Sequence, residues 1–270
     1  MILKEIIREK KKEISKTKTK TPANDLKDKI SITNPPTDFK TTLKGKFSII
    51  CEYKRASPST GFISSTRLKD AIKSFENGGA SAISILTEKK FFKGDIKYLE
   101  MAKSITNLPI LMKDFIIDEY QILQARAHGA SSILLIASIC PNLKTFIRLS
   151  RSLDMEPLIE CGNSLEIYKA LDNGAEIIGI NNRNLNDFNI NFNRTKAFAP
   201  LIPHDKVLVS ESGVKRAEDV KKLRRYGADA ILIGTGVMKS KNPTDFIKNL
   251  LITGTHTPKE RRNPLESNPN

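Results

Sequence analysis

PLIECGNSLEIYKALDNGAEIIGINN, residues 157–182, reads as one complete structural unit. Pro157-Leu158-Ile159 is a short apolar run that stops at Glu160. Leu165 to Leu171 carries the apolar spacing of an amphipathic helix. Gly174-Ala175 closes that helix, because glycine enters the left-handed C-cap conformation at no steric cost. Ile177-Ile178-Gly179-Ile180 is a second apolar run, and it stops at Asn181-Asn182-Arg183. Strand, helix, glycine stop and strand is the pattern of two parallel strands joined by a right-handed crossover.

The same unit recurs on both sides. Apolar, β-branched runs lie near 47–52, 82–87, 109–113, 132–136, 156–160, 177–181, 207–210 and 230–234, which makes eight. Lys69 to Phe75, Glu119 to Ala127 and Ala217 to Tyr226 are further amphipathic segments, and Gly79-Ala80, Gly129-Ala130 and Gly227-Ala228 repeat the closing step. The repeat is about 20 to 35 residues long. Eight such units in sequence predict an α/β fold, a (β/α)8 TIM barrel over residues 46–252. The competitor is an open, doubly wound sheet, which usually has fewer strands and a Gly-rich turn after the first. Here the first strand runs into Lys54-Arg55-Ala56-Ser57-Pro58-Ser59, with no such turn.

Closure of the barrel gives meaning to the way the runs end. Phe47 to Cys51 leads into Glu52-Tyr53-Lys54, Leu108 to Met112 into Lys113-Asp114, and Val207 to Ser210 into Glu211-Ser212-Gly213. Glu160 and Asn181-Asn182-Arg183 end two more. The C-terminal ends of all barrel strands meet at one mouth, so five such endings predict a polar site there. Lys54 and Lys113 with Glu52 and Glu160 supply acids and bases across it, as proton transfer requires. Asn181 is the weakest of the set and has a structural reading as well. Ser212-Gly213-Val214 after strand seven and Gly234-Thr235-Gly236 after strand eight stand where barrels commonly hold phosphate.

Composition bounds the remaining possibilities. The chain has 270 residues, 39% hydrophobic, and a net charge of +15. Cys51, Cys140 and Cys161 form no close pairing motif and read as buried apolar residues of a reducing compartment. None of His128, His204 and His256 falls at a strand end, which argues against a His-based metal site or a Ser-His-Asp triad. No apolar run approaches the roughly 20 residues that span a bilayer. The lysines are spread along the chain without interleaved aromatics, so the charge fits a phosphorylated or carboxylated small molecule at least as well as nucleic acid. A basic binding module using the N-terminal lysines is the non-enzymatic alternative. In MILKEIIREKKKEISKTKTK, Ile2, Leu3, Ile6 and Ile7 form a stripe that predicts a helix packed on the domain. Residues 21–45 are polar and contain Pro22, Pro35 and Pro36, which predicts a connector, and 253–270 predict a disordered tail.

At the strand ends the sequence resembles a family. Glu52-Tyr53-Lys54-Arg55-Ala56-Ser57-Pro58-Ser59-Thr60-Gly61 is similar to the opening signature of indole-3-glycerol phosphate synthase. The likeness continues through Ser84 to Glu88, Phe91-Phe92-Lys93-Gly94, Leu111 to Phe115 and Gln121. It goes on through Gly129-Ala130, Leu158-Ile159-Glu160, Gly179 to Arg183, Ser210 to Gly213 and Ile233-Gly234, over about residues 1–250. The resemblance implies ring closure of a carboxyphenylamino-deoxyribulose phosphate with loss of CO2 and water, in tryptophan biosynthesis. It implies Lys113 as general acid, Lys54 holding the substrate carboxylate and sharing acid duty, Glu160 as general base in dehydration, and Glu52 orienting both lysines. Asn181 and Glu211 would bind and position the reacting part, with Arg183 also binding substrate, and Ser57, Gly213, Gly234 and Thr235 would bind the phosphate, with the substrate-binding Ser212 nearby. It implies no metal and no organic cofactor. With the composition, the expectation is a monomer in the cytoplasm that acts on a small phosphorylated molecule, with no nucleic-acid or membrane partner. Three positions depart from the common pattern. Cys161-Gly162 replaces Val-His, Met112 replaces an Arg, and Thr235-Gly236 replaces a step with two side chains. Another phosphate-binding barrel, such as a phosphoribosyl isomerase, is the alternative enzyme, and it would need no lysine pair.

Overall fold

A computed structural model describes residues 2–184 and 188–259. Eight parallel strands close into a barrel: β1 (Ser48–Tyr53), β2 (Ala82–Leu86), β3 (Ile110–Lys113), β4 (Ser132–Ile136), β5 (Leu158–Cys161), β6 (Ile177–Asn181), β7 (Val207–Glu211) and β8 (Ala230–Ile233). Each pairs with its neighbours in chain order, and β1 pairs with β8 to complete the ring. Every predicted run is a strand, within two residues at its ends. The expectation worked because strands covered on both faces are apolar throughout, so they stand out as continuous runs.

The side-chain period of two sorts each strand into an inner and an outer set. Ile50, Leu111, Leu134, Leu158, Ile177, Val209 and Leu232 fill the barrel. Ile49, Cys51, Met112, Ile159, Ile178, Leu208 and Ile233 face the helices outside. Two residues beyond an inward residue comes another inward one. Glu52 therefore follows Ile50, Lys113 follows Leu111, Glu160 follows Leu158, and Glu211 follows Val209. This periodicity, together with the common strand direction, delivers four charged side chains to one mouth.

The outer layer is α4 (Leu68–Gly78), α5 (Lys97–Lys103), α6 (Glu119–Ala127), α7 (Leu143–Arg151), α8 (Ser164–Asp172), α9 (Asn193–Phe198), α10 (Ala217–Arg225), α11 (Thr235–Met238) and α12 (Pro243–His256). Asn163 caps α8 by accepting from Glu166 N at 2.9 Å. Gly174 follows that helix at φ 81°, the left-handed conformation its place requires.

Three helices precede the barrel: α1 (Ile2–Lys20), α2 (Ala23–Ser31) and α3 (Phe39–Leu43). The last two lie in the stretch read from sequence as a connector. Their composition is polar, yet Phe39 and Leu43 are buried among the inner barrel residues and plug its N-terminal end. Leu26 of α2 is buried with Ile14 and Tyr120. The predicted tail also begins too early. α12 continues to His256, because Gly254 lets the helix lie directly on the Phe47 ring. Residues 260–270 of that tail lie outside the described residues. Among the described residues no helix is long and apolar enough to cross a membrane.

Candidate active site

The C-terminal mouth of the barrel opens into a cavity of about 780 Å³. All twelve residues singled out from sequence line it: Glu52, Lys54 and Ser57 after β1, Lys113 on β3, Glu160 on β5, Asn181 and Arg183 at β6, Glu211, Ser212 and Gly213 at β7, and Gly234 and Thr235 at β8.

The charged residues form two groups. In the first, Lys113 Nζ lies 2.8 Å from Glu211 Oε2 and 3.5 Å from Glu160 Oε2. Asn181 Nδ2 donates to Glu160 Oε1 at 3.1 Å, which fixes that carboxylate from the other side. Asn181 Oδ1 in turn accepts from Arg183 N at 3.0 Å, so its amide has a defined orientation. In the second group, Lys54 Nζ lies 2.6 Å from Glu52 Oε1. Glu52 was expected to orient both lysines. It contacts Lys54 directly, while Lys113 is held by Glu211 and Glu160. The sequence could not show this, because the partners of Lys113 come from non-neighbouring strands, Glu160 two strands away and Glu211 across the ring.

Burial and charge set the protonation states. Burial alone would lower the Lys113 pKa, but Glu211, Glu160 and Glu52 outweigh it and raise it, so the ammonium is retained. Glu211 is pushed up to about 7, chiefly by burial, with Glu160 and Glu52 adding to the rise and Lys113 opposing it. Its Oε1 is buried without a hydrogen-bond partner among the described residues. Burial lowers the Arg183 pKa and Glu52 acts against that; its Nη1 donates to Phe188 O at 3.0 Å.

A cradle of small residues lies beside these groups. Ser212 has φ 69° and Gly213 φ 99°. A Cβ on Gly213 would lie 2.5 Å from Ile190 Cγ2 and 2.8 Å from Phe192 Cε1. One on Gly234 would overlap Glu52 and stand 3.1 Å from Lys54 Nζ. Ser57 is buried, with its hydroxyl 3.3 Å from that of Ser59. The buried Asn182 side chain donates to Ser210 Oγ at 2.9 Å, Glu211 O at 3.0 Å and Ser212 O at 3.3 Å, which anchors this turn to β6.

The sequence reading gave no role to several other lining residues. Lys215 and Lys239 face the cavity from just beyond the β7 and β8 glycines, a position that marks them once the strands are known. Phe92 and Phe115 form an aromatic wall, with ring centroids 6.0 Å apart. Ile2, Leu3 and Ile6 of α1, by contrast, reach the rim, so the helix covers part of the mouth as the family resemblance implies, besides packing on the domain. At the Cys161-Gly162 departure, Gly162 N donates to Glu166 Oε2 at 2.6 Å and Gly162 O accepts from Arg194 Nη2 at 2.6 Å. Local polar contacts therefore occupy that position.

The sequence model of the family described as indole-3-glycerol phosphate synthase matches residues 3–250. A relative of that name from Methanothermobacter marburgensis is 45% identical over 251 residues, covering 93% of this chain and 91% of the relative. Another, from Caldanaerobacter subterraneus, is 43% identical over 242 residues, covering 88% and 94%. Among solved structures, thiamine phosphate pyrophosphorylase from Pyrococcus furiosus superposes with a TM-score of 0.58 at 14% identity, over 79% of this chain and 96% of that one. 3-Hexulose-6-phosphate synthase gives 0.61 at 12%, over 77% and 99%. At such identities these two share the barrel and nothing finer.

Proposed function

The chain belongs to the indole-3-glycerol phosphate synthase family, and from that premise we propose how its residues divide the work of converting 1-(2-carboxyphenylamino)-1-deoxyribulose 5-phosphate to indole-3-glycerol phosphate. The enzyme is a decarboxylating, ring-closing carbon–carbon lyase of tryptophan biosynthesis. The observation that carries the assignment of roles is Lys113 held between two carboxyl groups, with a second lysine in the same cavity.

The phosphate rests in the cradle of Ser57, Gly213, Gly234 and Thr235, where small residues let backbone N–H groups approach an anion. The anthranilate ring lies against Phe92 and Phe115. Lys54, steadied by Glu52, pairs with the ring carboxylate and shares acid duty. These anchors bring the carboxylate-bearing ring carbon against the ketose carbonyl, replacing a search in solution with a fixed near-attack geometry.

As the new carbon–carbon bond forms, the carbonyl oxygen takes up negative charge. Lys113 supplies the proton that turns it into a hydroxyl. CO2 then leaves, its bonding electrons restoring the aromatic ring. Dehydration expels that hydroxyl from the former carbonyl carbon as water, with Lys54 supplying the proton it leaves with, and takes one hydrogen from the neighbouring methylene. Glu160, oriented by Asn181, accepts the proton. Glu211 holds Lys113 in place and helps position the reacting part. Arg183 and Ser212 bind the reacting part beside it.

The chain acts as a monomer in this reading, and the three buried free thiols support a reducing, cytoplasmic setting. Size-exclusion chromatography tests the first. Fluorescence assay of indole-3-glycerol phosphate formed from the purified substrate tests the activity: a folded protein giving none of this product would refute the reading.

A further inference from the structure

A buried ion pair lies beside the catalytic lysine: Asp114 borders the same cavity, and Lys10 reaches it from α1. Lys10 in α1 is 3% exposed and Asp114, the residue after Lys113, is 6% exposed. Lys10 Nζ lies 2.9 Å from Asp114 Oδ1 and 3.1 Å from Oδ2, and donates to Glu13 Oε2 at 2.7 Å. Burial works against the Lys10 charge, but Asp114 and Glu13 outweigh it and keep the ammonium protonated.

Asp114 ties two strand ends together. Its Oδ2 accepts from Thr87 Oγ1 at 2.6 Å, and its Oδ1 accepts from Phe115 N at 2.7 Å. Thr87 N donates to Lys113 O at 3.2 Å. The backbone that carries Lys113 is thus clamped between the end of β2 and a carboxylate whose only cationic partner among the described residues is Lys10. Phe115, in the aromatic wall, is held by the same carboxylate.

We propose that Lys10 is a positioning residue for the reaction: by neutralising Asp114 it fixes the end of β3, and with it Lys113 between Glu160 and Glu211. The N-terminal helix is then a working part of the catalytic apparatus rather than a cover. This rests on Lys113 being the general acid. Removing one partner of a buried pair leaves the other charge uncompensated, so the clamp cannot survive loss of Lys10 unchanged. A second contact of the same helix supplies a control. Lys18 pairs with Asp118 at 2.7 Å on the surface of the same loop, where an exposed pair contributes little.

The test compares steady-state kinetics of K10M, D114N, the double variant K10M/D114N, K18M and K113A, each checked for folding by circular dichroism. A displacement of order 1 Å at a reacting group costs about 10²-fold, so K10M should lose about 10–100-fold in kcat with KM changed less than about threefold. The double variant, with no charge left unpaired, should recover part of the loss and stay below wild type. K18M should be unchanged. Wild-type kcat in folded K10M or in the double variant overturns the proposal, as does a K10M loss confined to KM. If K10M does not fold, the double variant decides alone. K113A separates the two layers of the argument. Near-normal turnover there refutes the acid itself, whereas an inactive K113A beside a fully active K10M refutes only the positioning role.

Discussion

Gly179 on β6 leaves the space that the Glu211 carboxylate of β7 occupies: a Cβ on Gly179 would overlap Glu211 Oε1 and lie 3.3 Å from Leu158 Cδ1. One missing methyl group thus allows a charged side chain to lie flat against the barrel wall and meet Lys113. Gly179→Ala should push that carboxylate away and loosen Lys113, lowering kcat by about 10²-fold with the barrel intact. Kinetics alongside a thermal melt check this, and unchanged kcat would show that the carboxylate's position does not matter.

Glu211 should titrate far above an ordinary carboxylate. Its carboxyl carbon resonance should move with a midpoint of about pH 7, and that signal should be missing in Glu211→Gln. The raised pKa also has a sign in stability. Between the ordinary 4.5 and about 7, the folded form keeps a proton that the unfolded chain has released. This group's contribution is therefore complete below pH 4.5 and is lost as pH rises to about 7. The melting temperature of Glu211→Gln relative to wild type should climb across that window, and a flat difference would contradict it.

The strands were legible and the partnerships were not. Apolar runs and Gly-Ala steps mark β1 to β8 because parallel strands are buried on both sides. The residues ending those runs mark the mouth for the same reason. Nothing local shows that Lys113 meets Glu211, 98 positions away, or that Lys10 meets Asp114, 104 positions away. Those contacts exist only once the ring closes and α1 folds back over it. The helices α2 and α3 escaped notice because each buries only one or two side chains within a polar stretch.

Gly213 stands at φ 99° with Ile190 and Phe192 packed where a side chain would go. Gly213→Ala should distort the turn under the phosphate. Left-handed backbone costs a non-glycine residue about 1–2 kcal/mol, before any clash. Competition by inorganic phosphate should weaken by about tenfold or more, 1.4 kcal/mol being one decade. Equal inhibition of both proteins would move the phosphate elsewhere in the cavity.

Glu160→Gln keeps the size of the side chain and its contact with Asn181 but cannot accept a proton. Single-turnover experiments should then show CO2 released ahead of indole-3-glycerol phosphate, with a decarboxylated carbinol building up and substrate affinity little changed. If binding and ring closure both fall instead, Glu160 serves to place Lys113 and is not the base.

The central claim is that this chain closes the indole ring with Lys113 as proton donor. Its most direct test is fluorescence detection of indole-3-glycerol phosphate formed from 1-(2-carboxyphenylamino)-1-deoxyribulose 5-phosphate, by wild type and by Lys113→Ala at matched folding. Loss of a positioned acid costs about 10²–10⁴-fold. The wild type should turn over and the variant should fall by at least that lower bound while still binding phosphate; near-equal rates in the two proteins would contradict the account.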